Sequence, residues 1–356
     1  MKQLKSISPE LGVKQWNNFI LEHAPIPPIS FNPSLLNFYS SFFNWKPYYF
    51  LIYSDKLLLG VFPLIDSGRK FVSLPHFSYG GFISLKEKQF SITDLTQVFI
   101  QYVQKEKPKP GFLEFQIDKQ EPERKDAVSR NKKIFIRSLW SFEDAIKSNK
   151  VCSFVQLAEN NAEMLKLLSS NLRRKLRKTL TNGLEAKQGG IELLDDFYRV
   201  YAHNMHKLGS PVFSKSFFQT LFENYQNGMV RLFLSEINGK TVGAAFLMSY
   251  FGFYENTWFS TNSSYKKYLV SDHLHWQMIQ FAIENKGKIY SMGRSTQSGS
   301  VHAYKKHWPV TDYPLYFVDS EEGLQLKNYK WLASIWKSIP YPLTLRFGPM
   351  LVRHIY

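Results

Sequence analysis

Apolar and polar positions along the chain form short runs of strand length, and four of these runs form two hairpins of one design. In the first half, residues 48–53 and 57–65 are apolar runs joined by a short polar turn. In the second half, residues 230–237 and 241–250 repeat the arrangement. Their turn is Asn238-Gly239, and this dipeptide is the strongest short signal for a two-residue hairpin turn. The pattern predicts one β-hairpin in each half of the chain.

The elements that follow each hairpin also correspond. Gly60 and Gly243 occupy matching positions in the second strands, and a further strand follows in each half, at 70–74 and 253–261. A repeat of this length is typical of duplicated domains rather than of a solenoid. Apolar residues at helical spacing predict helices at 95–105, 162–181, 193–208, 215–225 and 272–284, the last capped by Asp272 and ended by Asn285-Lys286-Gly287.

Length and composition agree with two folded domains. The 356 residues suffice for two domains of ~150 residues each, and a hydrophobic content of 44% is enough for two cores. The predicted bounds are 1–150 and 151–326, followed by a basic amphipathic tail at 327–356. Two roles stay open for this tail, because such a helix can lie on a membrane or dock against its own domain. Cys152 is the only cysteine, which excludes an internal disulfide framework and a cysteine-rich zinc site.

The net charge of +16 indicates an anionic partner. Nucleic acid, anionic lipid headgroups, nucleotide-linked donors and lipid-phosphate carriers all satisfy it, and so does an ordinary solvated surface. The first ten residues lack the apolar core of a signal peptide, and no run reaches the ~18–20 apolar residues of a spanning helix. The expected location is the cytoplasm, with peripheral contact at the inner membrane face left open. The oligomeric state is not predicted.

Several common catalytic motifs are missing. Residues 293–297 lack the second glycine of a nucleophile elbow, and residues 293–299 lack the lysine and spacing of a phosphate-binding loop. His273 and His275 are two residues apart on a predicted helix, so their side chains diverge. We therefore expect no metal and no redox cofactor.

Two cations near the end of the second half are the main candidates for chemistry. A strand predicted to end at residues 290–292 runs into a Gly-Arg-Ser-Thr loop that contains Arg294, and Lys305 follows about ten residues later. Arginine and lysine at one loop edge can hold a phosphate, a carboxylate or a developing oxyanion. The same two side chains could instead pair with surface carboxylates.

A series of motifs spans residues 10–318. They are Ser73–Gly81, Arg173-Arg174-Lys175-Leu176-Arg177-Lys178, Leu208-Gly209-Ser210-Pro211, Trp258-Phe259-Ser260, Leu274-x-Trp276, Gly293-Arg294-Ser295-Thr296 and Tyr304-Lys305-x-x-Trp308. Their order resembles the Fem-type branch of the GNAT-superfamily acyltransferases, especially the Fem-related proteins associated with exopolysaccharide and PEP-CTERM systems.

The resemblance implies an α/β (α+β) fold of two tandem GNAT-like domains, each a mixed, mostly antiparallel sheet flanked by helices. It also implies an enzyme that moves an acyl or aminoacyl group onto an amine of an amino sugar or a cell-envelope or exopolysaccharide precursor. An amine then attacks the donor directly, without a covalent enzyme intermediate, and the protein supplies position and charge stabilisation.

The resemblance also assigns roles to residues. Lys305 would stabilise the developing oxyanion, and Arg294 would hold an anionic group of donor or acceptor. No general base can be identified, although Glu255 and Asp272 lie near suitable positions. Substrate-binding residues would be Trp258, Ser260, Ser295, Tyr304, Trp308 and Tyr79. Residues that bind donor phosphate would be Lys266, Lys267, Arg173 and Arg177.

The chain departs from the family pattern before the helix that contains Asp272. Acetyl-CoA-dependent members carry a glycine-rich loop there that binds pyrophosphate, whereas residues 265–271 contain no glycine. The donor therefore stays open between acyl-CoA and aminoacyl-tRNA, neither bound permanently. Two alternatives remain: an acyl-CoA-dependent N-acyltransferase of a small molecule or protein, and a catalytically degenerate pair that binds nucleic acid or a membrane surface. The anionic partner would be nucleotide-linked, lipid-phosphate-linked or tRNA.

Overall fold

A computed structural model describes residues 3–24, 26–85, 92–117, 133–141, 145–319 and 330–352. The chain folds into two compact units. The first contains residues 1–151 and 313–323, and the second contains residues 152–312 and 324–355. The return of residues 313–323 to the first unit was not part of the predicted domain bounds.

The first unit begins with a strand and two helices and then forms its hairpin. In chain order its elements are β1 (Gln3–Ser6), α1 (Pro9–His23), α2 (Leu35–Phe43), β2 (Lys46–Ser54), β3 (Leu57–Asp66), β4 (Lys70–Val72), β5 (Ile83–Ser84), α3 (Ile92–Glu106), β6 (Gly111–Gln116) and β7 (Lys133–Ser138). Ser8 caps α1 by accepting a hydrogen bond from the Leu11 backbone N–H, and Pro9 occupies the first helical turn. The core of the unit contains Phe50 stacked on Phe99, with ring centroids 4.1 Å apart.

The elements from residue 146 onward alternate helices and strands. In chain order they are β8 (Ile146–Gln156), α4 (Asn161–Leu167), α5 (Ser170–Thr181), β9 (Glu185–Gly189), α6 (Leu194–Leu208), α7 (Lys215–Asn224), β10 (Met229–Ile237), β11 (Lys240–Tyr250), β12 (Phe253–Thr261), α8 (Val270–Glu284), β13 (Ile289–Thr296), α9 (Ser300–Lys305), β14 (Val310–Asp319), α10 (Lys330–Ser338) and α11 (Tyr341–Val352). Short 3-10 helices cover Ile29–Phe31, Ile191–Leu193 and Ser263–Tyr268.

Each unit has a mixed sheet. In the first unit the strand order is β1-β6-β2-β3-β4-β7-β14, and β6 and β7 run parallel to β2 and β4. In the second unit the order is β8-β13-β12-β11-β10-β9, and β13 runs parallel to β12 while β9 to β12 are antiparallel neighbours. β14 belongs to the first unit from Tyr313 onward because its Tyr316–Asp319 segment pairs with β7.

The two predicted hairpins are present, and they share a detail that the pattern did not reveal. In β3, Gly60 pairs with Ile52, and the register shifts at the next position. In β11, Gly243 pairs with Ser235, and the register shifts there in the same way. A bulge therefore lies beside the matching glycine in both units, which confirms that one design occurs twice.

Three predicted elements differ from the structure. The helix predicted at 162–181 is broken into α4 and α5, because the Ser169 hydroxyl caps a new helix by accepting from Leu172. Asp272 is not a cap: Leu269, in the left-handed region, precedes α8, and Asp272 is buried in its first turn. The Gly-Arg-Ser-Thr segment is strand rather than loop, because β13 continues to Thr296.

Candidate active site

The second unit has an opening in its sheet between β12 and β13. The two strands pair in parallel over Phe253–Glu255 and Ile289–Ser291, and no further pair joins them among the residues described. β12 has a bulge at this point, because Phe246 pairs with Trp258 while Leu247 pairs with Asn256. Parallel strands that part in this way leave backbone groups facing the space between them.

Two buried polar side chains lie on the parted segments. The Oδ1 atom of Asn256 on β12 and the Oγ atom of Ser295 on β13 are buried, and neither has a hydrogen-bond partner in the structure. Buried oxygens of this kind are costly unless a ligand or water satisfies them. Gly293 lies between these levels on β13 with a φ of +73°, which turns its backbone into a conformation that L-residues rarely adopt.

Lys305 supplies a buried cation at this opening. It ends α9, is only 5% exposed, and its Nζ atom donates a hydrogen bond of 2.7 Å to the carbonyl oxygen of Gly293. Burial lowers the pKa of Lys305 to about 8, while the nearby Cys152 and Glu255 act in the opposite direction. An ammonium group in such a site interacts more strongly with a developing negative charge than one in water does.

An aromatic and polar cluster lies beside Lys305. The Tyr304 hydroxyl donates to Asp272 Oδ1 at 3.1 Å, and burial raises the pKa of Asp272, which the nearby Lys175 opposes. Burial also raises the pKa of Tyr304 well above its usual value. The next residue pair, His275 Nδ1 and the Tyr290 hydroxyl, lies 2.7 Å apart.

His275 packs at the centre of this cluster. Its ring stacks on Phe259 at 4.5 Å and meets Trp308 edge-on at 5.8 Å. Burial and the charge of Lys305 lower the pKa of His275 to about 3, so the imidazole is neutral near pH 7. His273, two residues earlier, lies 2.7 Å from the Ser235 hydroxyl instead, so the two imidazoles have different partners.

The other predicted site residues of the second unit lie in different surroundings. Trp258 packs edge-on against four phenylalanines, Phe213, Phe217, Phe218 and Phe246, so its ring belongs to an aromatic cluster. The Ser260 hydroxyl accepts a hydrogen bond of 3.2 Å from Asn204 Nδ2. Arg294 is exposed on β13. Lys305, Tyr304, Trp308 and Ser295 are thus the predicted residues that the structure places at or beside the opening.

Tyr79 lies in the first unit and is 1% exposed. Its side chain is therefore part of that unit's interior, because a phenol with so little exposed surface contacts protein on all sides. The sequence resemblance placed Tyr79 among the substrate-binding residues, and its burial contradicts that role.

The predicted phosphate-binding residues divide into two groups. Arg173 is occupied, because its Nη1 atom donates to the carbonyl oxygens of Leu165, Lys166 and Leu168 at the C-terminal end of α4. This carbonyl-capping role contradicts the prediction that Arg173 binds a donor phosphate. Arg177, Lys266 and Lys267 are exposed, and Lys267 lies over the Tyr268 ring at 5.1 Å.

Sequence reasoning missed two residues of the cluster. His275 was considered only for metal binding together with His273, and the Leu274-x-Trp276 motif that surrounds it was the available signal. Lys175 was grouped with its basic neighbours, yet it is half-buried, and its charge acts on the Asp272 carboxylate. Its position between two inward-facing leucines, Leu172 and Leu176, could have separated it from the exposed cations.

Two searches of the described residues returned no candidate. No cluster of three or more histidine, cysteine, aspartate or glutamate side chains within them is arranged to hold a metal ion. Among the helices the structure describes, none combines the length and apolar character that crossing a membrane requires.

Residues 168–306 match the family model described as an acetyltransferase (GNAT) domain. The matched segment begins just before α5 and ends one residue after Lys305, so it contains the parted strands and the cluster. No curated protein matches the sequence. The match supports acyltransferase activity, the predicted enzyme class.

Solved structures with similar folds cover nearly the whole chain. FemX is 12% identical with a TM-score of 0.59, covering 93% of this chain and 100% of its own. A tandem GNAT protein from the clavulanic acid biosynthesis pathway is 8% identical with a TM-score of 0.55, covering 91% and 100%. The C-terminal domain of a putative lysylphosphatidylglycerol synthetase from Agrobacterium fabrum is 10% identical with a TM-score of 0.50, covering 88% and 93%. These similarities confirm the predicted fold class of two tandem GNAT-like domains.

Proposed function

We propose that this chain is a Fem-like transferase that moves an acyl or aminoacyl group onto an amine of an amino sugar or a cell-envelope or exopolysaccharide precursor. The observation that carries the proposal is the buried Lys305 ammonium at the opening between β12 and β13, hydrogen-bonded to Gly293. The opening lies within the segment that matches an acetyltransferase domain.

In the proposed reaction, the amine nitrogen attacks the carbonyl carbon of a thioester or an aminoacyl ester. A C–N bond forms, the carbonyl oxygen takes up negative charge, and collapse breaks the C–S or C–O bond. The proton lost by the amine is taken up by the departing thiolate or alkoxide, so no oxidant or metal is needed. Lys305 stabilises the oxygen while its charge persists, a contribution worth ~10²–10³ in rate for one well-placed donor.

We propose aminoacyl-tRNA as the donor. Asp272 places a buried carboxylate in the first turn of α8, where acetyl-CoA-dependent enzymes bind pyrophosphate, and two negative groups at this point repel each other. Leu269 adopts the left-handed conformation that a glycine of the usual loop would take. Exposed cations on α5, Arg174, Arg177 and Lys178, provide a surface for nucleic-acid phosphates. The proposed compartment is the cytoplasm, where this donor is made.

An acyl-CoA-dependent N-acyltransferase is the second candidate. It is favoured by the start of α8, because Leu269 contributes no side-chain hydrogen bond to the helix N-terminus. Backbone N–H groups of a first turn that lacks such a cap can bind phosphate oxygens. A third candidate, a basic binding module without catalysis, relies on the exposed α5 cations alone.

The test is a binding and transfer panel with purified protein. Coenzyme A, acetyl-CoA, aminoacyl-tRNA and nucleotide-linked amino sugars are each added in a thermal melt, where a ligand at 100 times its dissociation constant stabilises by ~2.7 kcal/mol. We expect aminoacyl-tRNA to raise the melting temperature and to support amide formation that Lys305→Met abolishes. Stabilisation and amide formation with acetyl-CoA alone would select the second candidate. Salt-sensitive RNA binding with no transfer, lost in Arg174→Ala with Arg177→Ala but kept in Lys305→Met, would select the third.

A further inference from the structure

The last two helices of the chain turn their large apolar side chains toward solvent. Seven such side chains in α10 and α11 are between 42% and 62% exposed: Trp331, Leu332, Ile335, Leu343, Phe347, Met350 and Leu351. In α11 the exposed positions follow the i, i+4, i+7, i+8 spacing of one helix face. We call these seven residues the apolar face.

The opposite side of α11 consists of small or short side chains and faces the second unit. Thr344, Gly348 and Val352 are buried at intervals of four residues. A Cβ atom on Gly348 would lie 2.9 Å from the Val212 backbone nitrogen, so the helix approaches that segment closely. The Thr344 hydroxyl also lies 3.4 Å from His206 Nδ1 on α6. This packing fixes the rotation of the helix and so holds the apolar face outward.

The arrangement is the reverse of an ordinary surface helix, which turns its large apolar residues inward. Close packing against α6 also rules out a simple rotation about the helix axis, because the side chains on the exposed stripe are too large for the space that Gly348 occupies. Monomeric soluble proteins rarely expose a contiguous apolar patch of more than a few hundred Å² unless it binds something. The apolar face therefore indicates a binding surface.

The charge around this face is entirely positive. Residues 324–356 contain five basic residues and no aspartate or glutamate; the five are Lys327, Lys330, Lys337, Arg346 and Arg353. Lys337 and Arg346 are exposed on the same two helices as the apolar face. Apolar and aromatic side chains next to lysine and arginine are the composition of helices that lie in the interface of an anionic membrane.

We propose that the apolar face of α10 and α11 docks on a membrane surface that carries anionic lipid headgroups. The helices have 9 and 12 residues, so the longer spans ~18 Å, and a crossing of the ~30 Å hydrocarbon layer is excluded. A second copy of the chain fits the face less well, because self-association would bring the Lys337 and Arg346 charges of both copies together. The inference is independent of the proposed transfer reaction, since it rests on other residues and its test measures no activity.

The first arm of the test measures partitioning of the full chain onto vesicles of mixed phosphatidylglycerol and phosphatidylcholine by sedimentation. We expect Phe347→Ser with Met350→Ser, and separately Trp331→Ser with Ile335→Ser, to lower the partition coefficient by about tenfold. The matched control is Leu167→Ser with Leu180→Ser, two side chains of α4 and α5 that are 59% and 70% exposed. We expect the control to bind like the unaltered chain. Thermal melts of each variant show that it is folded, and the two independent pairs keep the test valid if one does not fold.

The second arm separates the charge contribution from self-association. We expect Lys337→Gln and Arg346→Gln each to weaken binding to anionic vesicles about fivefold, and high salt to have the same direction of effect. The oligomeric state is measured in parallel by sedimentation velocity. Two results would overturn the proposal. One is absence of binding to anionic vesicles; the other is a dimer that the Phe347→Ser and Met350→Ser pair dissociates without any change in vesicle binding.

Discussion

The two units contain the same hairpin but differ in how a parallel strand joins it. In the first unit, β6 pairs with β2 along six consecutive positions, from Tyr48 with Gly111 to Tyr53 with Gln116. In the second unit, β13 pairs with β12 over three positions and then separates from it. The first arrangement closes the sheet, whereas the second opens it beside a buried lysine.

The third strand of each hairpin unit shows the same contrast. After β4, the chain remains hydrogen-bonded to β7, because the backbone N–H groups of Ser73 and Gly80 donate to the carbonyl oxygens of Phe135 and Arg137. The corresponding strand β12 separates from β13 and has Asn256 with a buried, unsatisfied Oδ1. Duplication thus supplied one unit with a fully paired sheet and one with a gap, and only the gap offers polar groups to a substrate.

Loss of the Lys305 cation is the largest effect that this comparison predicts. Lys305→Met should lower kcat/KM for amide formation by ~10²–10³, because the buried ammonium no longer stabilises the oxyanion. The matched control is Lys306→Met, whose side chain is 53% exposed and pairs with Asp312 at 3.3 Å. The control should stay within about twofold, since exposed ion pairs contribute little. Equal losses in both variants would remove Lys305 from the site.

The second prediction compares two glycines with positive φ, one in each unit. Gly293 has a φ of +73° and Gly68 has a φ of +84°, so alanine at either position should cost ~1–2 kcal/mol of unfolding free energy. Space does not distinguish them strongly, because a Cβ atom meets nothing closer than 3.5 Å at either site. Gly293→Ala should also lower kcat/KM, by up to ~10² if the carbonyl that holds Lys305 moves by 1 Å. Denaturation and steady-state kinetics on both variants decide whether the activity loss is confined to Gly293.

The third prediction concerns the glycines beside the bulges. A Cβ atom at Gly60 would lie 2.4 Å from Phe82 Cζ, and one at Gly243 would lie 2.4 Å from Val270 Cγ1. Alanine at each should therefore destabilise by ~1–3 kcal/mol through overpacking. Val270 begins α8, so only Gly243→Ala should also raise KM or lower kcat. Activity loss in Gly60→Ala at full folding would show that the first hairpin takes part in the reaction.

The fourth and smallest effect is on pH dependence. Burial lowers the pKa of Lys305 from its ordinary 10.5 to about 8, so the cationic form and the activity should fall by about half near pH 8. Between pH 8 and 10.5 the unfolded chain binds a proton at Lys305 that the folded chain does not, so this residue makes the unfolding free energy rise with pH in that window. Melting curves of Lys305→Met should lack that contribution, and a pH profile for the variant identical to the original would contradict the assignment.

Much of the fold was predictable from local signals in the sequence. Asn238-Gly239 and the apolar runs around it specify the second hairpin, since both residues take the positive φ that a two-residue turn needs. The end of α8 at residues 285–287 was confirmed for the same reason, because Lys286 has a φ of +60°. Signals for the start of α8 were weaker, because Leu269 takes a left-handed conformation that its side chain does not favour.

The candidate site was predictable in part. Lys305, Tyr304, Trp308 and Ser295 come from short motifs close to each other in sequence, and the structure places them at or beside the opening. The separation of β12 from β13 has no local signal, because it depends on how two distant strands pair. Arg173 shows the same limit: five cations in six residues look alike in sequence, and only the position of the α4 carbonyls distinguishes the capping residue.

The return of β14 to the first unit determines the order in which the units can be completed during synthesis. The Tyr316–Ser138 pair joins β14 to β7 across roughly 180 residues of chain. At ~5–20 residues per second, the ribosome needs roughly 10 to 40 seconds to make that stretch. Until then one edge of β7 has no strand neighbour and can pair with other chains. The first unit to be synthesised is thus the last to be completed, and this open edge is where a nascent-chain chaperone would protect the protein from aggregation.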